Sequence, residues 1–192
     1  MKRILVTGFE PFGNKKTNIT QEVIDSLPHA ESVRTEILPV EFSRAAERAL
    51  ALAEDADAIL LLGEQPSVRA GLRFEQRAHN RAYAGAIADN AGKRKWWSRI
   101  DPDGPKRLAS TMTYDELIEA LDSASIDVRQ QKKIGRFVCN DIFYRTLLAQ
   151  QRGEIDSSTK VGFMHIGSRT DRGHAVDTVS SIIDTLQRDD RT

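Results

Sequence analysis

The segment that most constrains the fold is a short run that is apolar on both of its faces. Asp57 is followed by Ala-Ile-Leu-Leu-Leu, which ends at Leu62. A strand without a polar face must be covered on both sides, as the central strands of parallel sheets are covered by helices. The sequence therefore predicts a sheet with helices packed against both of its faces.

Other apolar runs alternate with segments of helical spacing along the whole chain. The predicted strands span residues 3–7, 32–40, 57–62, 137–138 and 160–166, and the predicted helices span 21–27, 42–54, 113–123, 141–151 and 175–186. Residues 74–87 fit either a strand or a helix. This alternation predicts an α/β protein, a three-layer αβα sandwich around a largely parallel or mixed sheet. At this length, one domain spanning residues 1–192 is expected.

Composition argues against several classes of function. The 28 lysines and arginines are balanced by 28 acidic residues, so no net positive charge attracts the chain to nucleic acid. The apolar stretch near Met1 is too short for a secretory signal, and no run is long enough to cross a membrane. The single cysteine cannot form an internal disulfide. We therefore expect a cytoplasmic protein without nucleic-acid or membrane partners.

Reactive residues follow three of the predicted strands. In open α/β sheets, ligands bind in the crevice beyond the carboxyl ends of the strands. Residues 8–13, Gly-Phe-Glu-Pro-Phe-Gly, follow the first strand, Cys139 follows Val138, and His165 ends the strand that contains Phe163 and Met164. These three turns are expected to share one edge of the sheet.

Cys139 is the candidate nucleophile. If a strand ends at Val138 and a helix begins near Asn140, the thiol lies at a helix N-terminus, where unpaired amides favour a thiolate. The alternative is a small buried residue that packs beside Phe137 and Phe143. Local sequence leaves these two interpretations open.

A cysteine nucleophile needs a base, and the chain has four histidines. His29 and His174 lie in polar surface segments. His79 lies in the ambiguous segment, where a surface position and a functional one are both open. His165 ends an apolar strand at the predicted edge, and it is therefore the candidate base, although a core histidine bonded to the backbone is the alternative.

Residues 8–13 do not form a phosphate-binding loop. Such a loop requires lysine directly after its second glycine, whereas Asn14 follows Gly13 here. Phe9 and Phe12 instead suit the wall of an apolar pocket or a cap on the core.

Several motifs resemble pyroglutamyl peptidase I, the peptidase C15 family, in the order in which that family carries them. The opening Ile-Leu-Val-Thr-Gly-Phe-Glu-Pro-Phe-Gly is similar almost residue for residue to the family's first signature. Phe-Val-Cys-Asn around Cys139 resembles its nucleophile motif, Gly-Phe-Met-His at His165 its histidine segment, and Phe-Glu-Gln-Arg-Ala at Glu75 its glutamate segment. Asp89-Asn90-Ala91-Gly92 and Asp103-Gly104-Pro105 match two further landmarks.

The resemblance implies a phosphorylase/hydrolase-like fold and removal of N-terminal pyroglutamate from peptides without a metal or cofactor. It implies Cys139 as nucleophile, His165 as base and Glu75 as the group that orients the imidazole. It also implies a homo-oligomer, either a dimer or a tetramer. The substrate-binding positions that it implies are Phe9, Phe12, Asn18, Glu64, Gln65, Phe137 and Val138.

The chain departs from the family near the expected substrate pocket. The family's Gly-Gln-Ala-Gly-Gly-Arg is replaced by Gly63-Glu64-Gln65-Pro66-Ser67-Val68-Arg69, so either Glu64 or Gln65 occupies the place of the glutamine. A carboxylate that faces a neutral lactam would alter substrate preference. Residues 93–99, Lys-Arg-Lys-Trp-Trp-Ser-Arg, have no family counterpart and are expected to form an exposed basic and aromatic loop.

Two alternatives of other classes follow from these departures. The first is a non-catalytic relative that binds a peptide N-terminus or a small lactam. The second is a nucleic-acid accessory protein that uses residues 93–99, whose binding would weaken steeply with salt.

Overall fold

The computed structural model describes residues 1–67, 70–120, 128–131 and 134–188. Within these ranges the strands are β1 (Ile4–Phe9), β2 (Val33–Leu38), β3 (Ala58–Gln65), β4 (Leu72–Glu75), β5 (Arg77–His79), β6 (Arg107–Ala109), β7 (Val128–Gln131) and β8 (Lys160–Gly167). The helices are α1 (Ile19–Ile24), α2 (Arg44–Ala51), α3 (Tyr114–Ala120), α4 (Val138–Gln151) and α5 (Arg172–Gln187).

The main sheet is mixed and has the strand order β2-β1-β3-β8-β4-β7. Strands β2, β1, β3 and β8 pair in parallel, whereas β4 runs antiparallel to β8 and β7 runs parallel to β4. Strands β5 and β6 form a separate antiparallel pair. The carboxyl ends of β1, β3 and β8 therefore meet at one edge, and the start of β4 lies beside them.

The sheet separates two apolar clusters, as a three-layer sandwich requires. In β3, Ile59 and Leu61 join the cluster under α2 and α4, while Ala58, Leu60 and Leu62 join the cluster under α1, α3 and α5. All five side chains are almost fully buried. The strand without a polar face is thus covered by helices on both sides, and the predicted αβα sandwich with a mixed sheet is confirmed.

Most predicted elements are present, with ends displaced by a few residues. The pair Thr113 and Glu116 caps α3 in both directions, since Thr113 N donates to Glu116 Oε2 at 2.7 Å and Glu116 N donates to Thr113 Oγ1 at 3.2 Å. Residues 121–123 of that predicted helix lie outside the described ranges. The ambiguous residues 74–87 contain the end of β4 and all of β5.

Two predictions at the edge of the sheet were wrong. Phe137 and Val138 do not form a strand, because α4 begins at Val138 with Phe137 as its N-cap. Val138 is buried in the apolar cluster at the start of the helix, and Phe137 is partly buried against that cluster. His165 does not end its strand either, since β8 continues to Gly167 through pairing with Gln65 of β3.

We compared the helices in the described ranges with the requirements of a membrane span. None of the helices there is both long enough and apolar enough to cross a bilayer.

Candidate active site

The pairing of strands brings Glu75 to His165. Arg73 of β4 lies opposite His165 of β8, so Glu75, two residues further along β4, lies on the same face of the sheet. Glu75 Oε1 is 2.7 Å from His165 Nδ1. The carboxylate accepts this hydrogen bond, so Nδ1 carries a proton and Nε2 is left to face Cys139. Both residues are buried, with exposed fractions of 0% for Glu75 and 4% for His165.

Cys139 is the second residue of α4 and packs over the same face of the sheet. Asn140 N and Asp141 N donate to Phe137 O, whereas the amides of Val138 and Cys139 precede them in the first turn, so the thiol lies at the positive end of the helix dipole. A Cβ atom at Gly63 would lie 3.0 Å from Cys139 Sγ and 2.7 Å from Phe163 Cζ. The absence of a side chain at Gly63 therefore allows the sulfur to approach β3, next to His165.

The environment of His165 favours the imidazolium. Burial acts to lower its pKa, but hydrogen bonds to Cys139 and Glu75 oppose it, and together they raise the pKa from 6.5 to about 9. The ring also meets the edge of Phe163, with centroids 4.8 Å apart. At neutral pH, His165 is therefore protonated between two groups that stabilise its charge. Such a cation in turn stabilises a thiolate on Cys139.

Cys139 and His165 open into a mostly apolar cavity of about 510 Å³. This size is typical of sites for small organic ligands. All seven positions predicted to bind substrate line it: Phe9, Phe12, Asn18, Glu64, Gln65, Phe137 and Val138. The predicted base and nucleophile thus meet the residues of the first turn at one cavity. Glu75 lies behind His165 rather than on the cavity wall.

Asn18 is held mainly by its own helix. Its Oδ1 accepts hydrogen bonds from Thr20 N at 2.9 Å and Thr20 Oγ1 at 2.8 Å, and its Nδ2 donates to Glu10 O at 3.0 Å. The side chain therefore acts as the N-cap of α1 and fixes the chain after β1.

Two polar side chains hold the turn after β1 against the cavity. Glu10 Oε1 accepts hydrogen bonds from Val40 N at 3.1 Å and from Asn90 Nδ2 at 2.7 Å. Asn90 Nδ2 also donates to Pro11 O at 2.9 Å. The matched landmark that contains Asn90 therefore positions Phe9 and Phe12 without lining the cavity.

Glu64 and Gln65 both belong to β3 and both line the cavity, so the two candidate positions are adjacent in the wall. Glu64 Oε1 pairs with Lys15 Nζ at 2.5 Å, and its side chain is only 10% exposed. The ammonium neutralises the carboxylate that the sequence placed in an otherwise apolar wall. Gln65 Oε1 is buried and has no partner among the described residues.

Sequence reasoning missed part of the wall. Tyr83, Ile87 and Arg136 also line the cavity, and so does Lys15. Tyr83 stacks on Trp97 with centroids 4.3 Å apart, and the Arg136 guanidinium lies 5.1 Å from the centre of the Trp97 ring. Trp96 and Trp97 are exposed as predicted, at 64% and 56%. The unusual pair of tryptophans was the sequence signal for this part of the cavity wall. The residues that Trp97 contacts, Tyr83 and Arg136, lie far from it in sequence.

Comparison with known proteins places this site in a family. The family model of peptidase C15, pyroglutamyl peptidase, matches residues 2–175. The chain belongs to the pyroglutamyl peptidase family. It is 31% identical over 170 residues to pyrrolidone-carboxylate peptidase 1 of Caldanaerobacter subterraneus subsp. tengcongensis, covering 85% of this chain and 81% of the relative.

Further relatives of the pyroglutamyl peptidase family agree in sequence and in fold. Pyrrolidone-carboxylate peptidase of Streptococcus pyogenes is 32% identical over 169 residues, covering 85% of this chain and 77% of the relative. A mutant pyrrolidone carboxyl peptidase from the hyperthermophile Pyrococcus furiosus superimposes with a TM-score of 0.84 at 25% identity, covering 96% of this chain and 97% of that one. The family resemblance and the fold that it implied are therefore confirmed.

The described residues hold no cluster suited to a metal ion. No group of three or more His, Cys, Asp or Glu side chains in that part of the chain has the arrangement of a metal site. Reactive groups at the cavity include the thiol of Cys139 and the imidazole of His165, with the carboxylate of Glu75 behind it.

Proposed function

We propose that the protein is a cysteine peptidase that removes N-terminal pyroglutamate from peptides, with Cys139, His165 and Glu75 as its catalytic groups. The observation that carries the proposal is the hydrogen bond between Glu75 and His165 at an apolar cavity that Cys139 and His165 both line. Membership of the pyroglutamyl peptidase family supports the same substrate and reaction.

In the first step, the Cys139 thiolate attacks the carbonyl carbon of the pyroglutamyl residue and forms a carbon–sulfur bond. Collapse of the tetrahedral adduct breaks the carbon–nitrogen bond to the next residue. Protonated His165 donates its Nε2 proton to the departing amine, so the peptide leaves as a neutral amine and a thioester remains. The raised pKa of His165 suits this step, because the proton is already in place at neutral pH.

In the second step, water attacks the thioester while neutral His165 accepts a proton at Nε2. Pyroglutamic acid is released, and the thiolate of Cys139 and the imidazolium of His165 are restored. Throughout both steps, Glu75 accepts the hydrogen bond from Nδ1 and keeps Nε2 directed at the reacting atoms. Amides in the first turn of α4 stabilise the negative oxygen of each adduct.

The cavity wall fits a small uncharged lactam. Phe12 and Phe137 meet with ring centroids 5.1 Å apart, and Phe9 and Val138 extend the apolar surface beside them. Aromatic faces of this kind bind the ring without requiring charge. Gln65 Oε1, which lacks a partner among the described residues, accepts the lactam N–H. The Lys15 ammonium balances the charge of Glu64 in the same wall.

The deciding experiment measures hydrolysis of a pyroglutamyl fluorogenic amide by the wild type and by Cys139→Ala. We expect turnover by the wild type and none by the variant, with unchanged circular dichroism. Folded wild type without turnover, or a variant that keeps its rate, contradicts the proposal. Iodoacetamide separates an enzyme from a non-catalytic binding relative, because a thiolate at Cys139 is alkylated quickly at neutral pH and its reaction is slowed by a pyroglutamyl ligand.

Oligomeric state, location and nucleic-acid binding stay predictions. A homo-oligomer is expected from the resemblance, and the large exposed apolar side chains of Ile87, Trp96 and Trp97 are compatible with one. Light scattering after size-exclusion chromatography tests it, with a monomer as the contradicting result. The cytoplasmic location awaits fractionation, and the absence of nucleic-acid binding awaits a mobility-shift measurement at low salt.

A further inference from the structure

A second cavity lies beside the candidate active site and is lined mainly by arginine and lysine side chains, together with His79 and Asn80. It has a volume of about 330 Å³. We call it the basic cavity, defined by His79, Arg81, Arg99, Lys106, Arg107 and Arg136. No carboxylate is among its lining residues in the described part of the chain. Because acidic and basic residues are balanced over the whole sequence, this is a local excess of positive charge.

The backbone beneath the basic cavity is firmly held. Asn140, the residue directly after Cys139, is fully buried, and its Nδ2 donates to His79 O and Arg81 O, each at 2.9 Å. His79 N in turn donates to Asn140 Oδ1 at 2.8 Å. The segment that carries two of the lining side chains is thereby tied to the first turn of α4. The basic cavity therefore keeps a fixed position relative to Cys139.

A second segment that lines the basic cavity is fixed in a similar way. Asn80, which is 3% exposed, donates through Nδ2 to Asp101 O at 2.8 Å and to Gly104 O at 3.0 Å. Arg99 also donates to Gly104 O, at 2.7 Å. The loop that brings Arg99 and Lys106 to the basic cavity is thus held by hydrogen bonds to the buried Asn80 and within the loop itself.

Arg136 joins the two cavities. It lies three residues before Cys139 and lines both the candidate active site and the basic cavity. Trp97 lies within 5.1 Å of its guanidinium and stacks on Tyr83, which lines the candidate active site. One continuous surface therefore leads from Cys139 past Tyr83 and Arg136 into the basic cavity. A peptide whose first residue occupies the apolar cavity can extend along this surface.

We propose that the basic cavity binds carboxylates of the peptide segment that follows the pyroglutamyl residue, so that the protein favours substrates with acidic residues there. This inference rests on the proposed function and names the substrate class of the same site. Arginine and lysine bind carboxylates through charge-assisted hydrogen bonds, and arginine does so with two parallel donors. Exposed pairs of this kind weaken as salt screens them.

The test compares pyroglutamyl peptides of equal length that carry either glutamates or glutamines after the pyroglutamyl residue. At about 50 mM salt, the acidic peptide is expected to have a kcat/KM about tenfold higher, which a few partly exposed ion pairs can supply. The ratio is expected to fall towards one at about 500 mM salt. Equal rates for the two peptides at low salt contradict the inference.

Variants locate the effect. Lys106→Gln with Arg107→Gln removes two exposed charges that line only the basic cavity. We expect this double variant to lose the preference for the acidic peptide and to keep the wild-type rate on the glutamine peptide. Arg188→Gln, an exposed arginine at the end of α5, is the matched control and keeps the preference. A double variant that still prefers the acidic peptide overturns the inference.

The outcome also separates this inference from the proposed function. Hydrolysis of both peptides at equal rates leaves the peptidase function intact and removes the role of the basic cavity. If folded wild type hydrolyses neither peptide, the proposed function fails, and tryptophan fluorescence then measures the affinity for each of the two peptides. Equal affinity at low salt overturns the inference, and tighter binding of the acidic peptide supports it.

Discussion

Glu75 and His165 are 90 positions apart in sequence, yet Oε1 of the first and Nδ1 of the second are 2.7 Å apart. The antiparallel pairing of β4 with β8 produces this contact, because it places both side chains on the face that α4 covers. A carboxylate without solvent then has one strong partner, and its other oxygen, Oε2, is buried without a partner among the described residues. Among the described residues, His165 is therefore the hydrogen-bond partner of the Glu75 carboxylate.

Glu75→Gln tests the orienting role of the carboxylate. Glutamine keeps the shape but cannot stabilise an imidazolium, and its amide group can impose the wrong tautomer on His165. We expect kcat/KM for a pyroglutamyl amide to fall by about 10²-fold or more, and the thermal midpoint to fall as well, because His165 loses one of the two groups that raise its pKa. Stopped assays together with calorimetry check this. Retained activity in a folded variant contradicts the role of Glu75.

The pH dependence follows from the raised pKa of His165. Because the pKa rises from 6.5 to about 9 on folding, the stabilisation from the protonated form is complete below pH 6.5 and is lost as the pH rises through about 9. We therefore expect both the free energy of unfolding and kcat/KM to decline on that alkaline limb. Urea titrations and initial rates across this interval measure the two.

Cys139→Ala provides the matched control for this titration. It removes the largest contribution that raises the pKa of His165, while burial still lowers it and Glu75 still raises it. NMR of the imidazole should then give a midpoint below that of the wild type. An unchanged midpoint contradicts a direct interaction between Cys139 and His165.

Lys15→Met tests the ion pair in the cavity wall. The change leaves the Glu64 carboxylate, which is 10% exposed, without its ammonium, so the wall holds water that an uncharged lactam must displace. We expect KM to rise by about tenfold with little change in kcat, since this wall does not contact the breaking bond. Steady-state kinetics on a pyroglutamyl amide measure both constants.

The double variant Lys15→Met with Glu64→Gln removes both charges and should recover most of the loss in KM. Lys16→Met, at the neighbouring exposed lysine, is expected to behave as the wild type. A double variant as impaired as Lys15→Met alone contradicts the explanation by an unpaired carboxylate.

Gly63→Ala tests the close approach of the Cys139 thiol to β3. The added methyl group would lie 2.7 Å from Phe163 Cζ and 3.0 Å from Cys139 Sγ, closer than such atoms pack. We expect a loss of about 1–3 kcal/mol in the free energy of unfolding, as for other overpacked sites, and a much slower reaction with iodoacetamide. Gly135→Ala, where an added Cβ meets nothing within 4 Å, serves as the control for stability.

The helices and strands were largely predictable because the spacing of apolar residues along the chain indicates which face of each element is buried. The apolar run 57–62 became the central β3, and Thr113 with Glu116 capped α3 as expected. The short strands β6 and β7 were not predicted, because three or four residues without a strong apolar pattern depend on their partners for pairing. The start of α4 at Val138 was missed since its bulky residues resemble a strand until the tertiary packing is known.

The site was predictable to a different extent. Cys139, His165 and the seven positions predicted to bind substrate were named from local chemistry and family resemblance, and all of them line one cavity. Lys15, Tyr83 and Arg136 were not predicted to line this cavity, because nothing in their neighbouring residues indicates that they face it. The loop 93–99 was expected to be exposed, but its stacking on Tyr83 depends on the bridge between Ala82 and Ser98.

By itself, the sequence determined the layered α/β fold and the family and indicated the candidate reactive groups, because periodic burial and short motifs are properties of adjacent residues. Only the tertiary structure decided the contact between Glu75 and His165, the neutralisation of Glu64 by Lys15 and the meeting of two cavities at Arg136. Those features depend on strand register and on loops that cross the sheet edge. Electrostatic energy depends on the distance between charges in space, and that distance cannot be obtained from the order of residues alone.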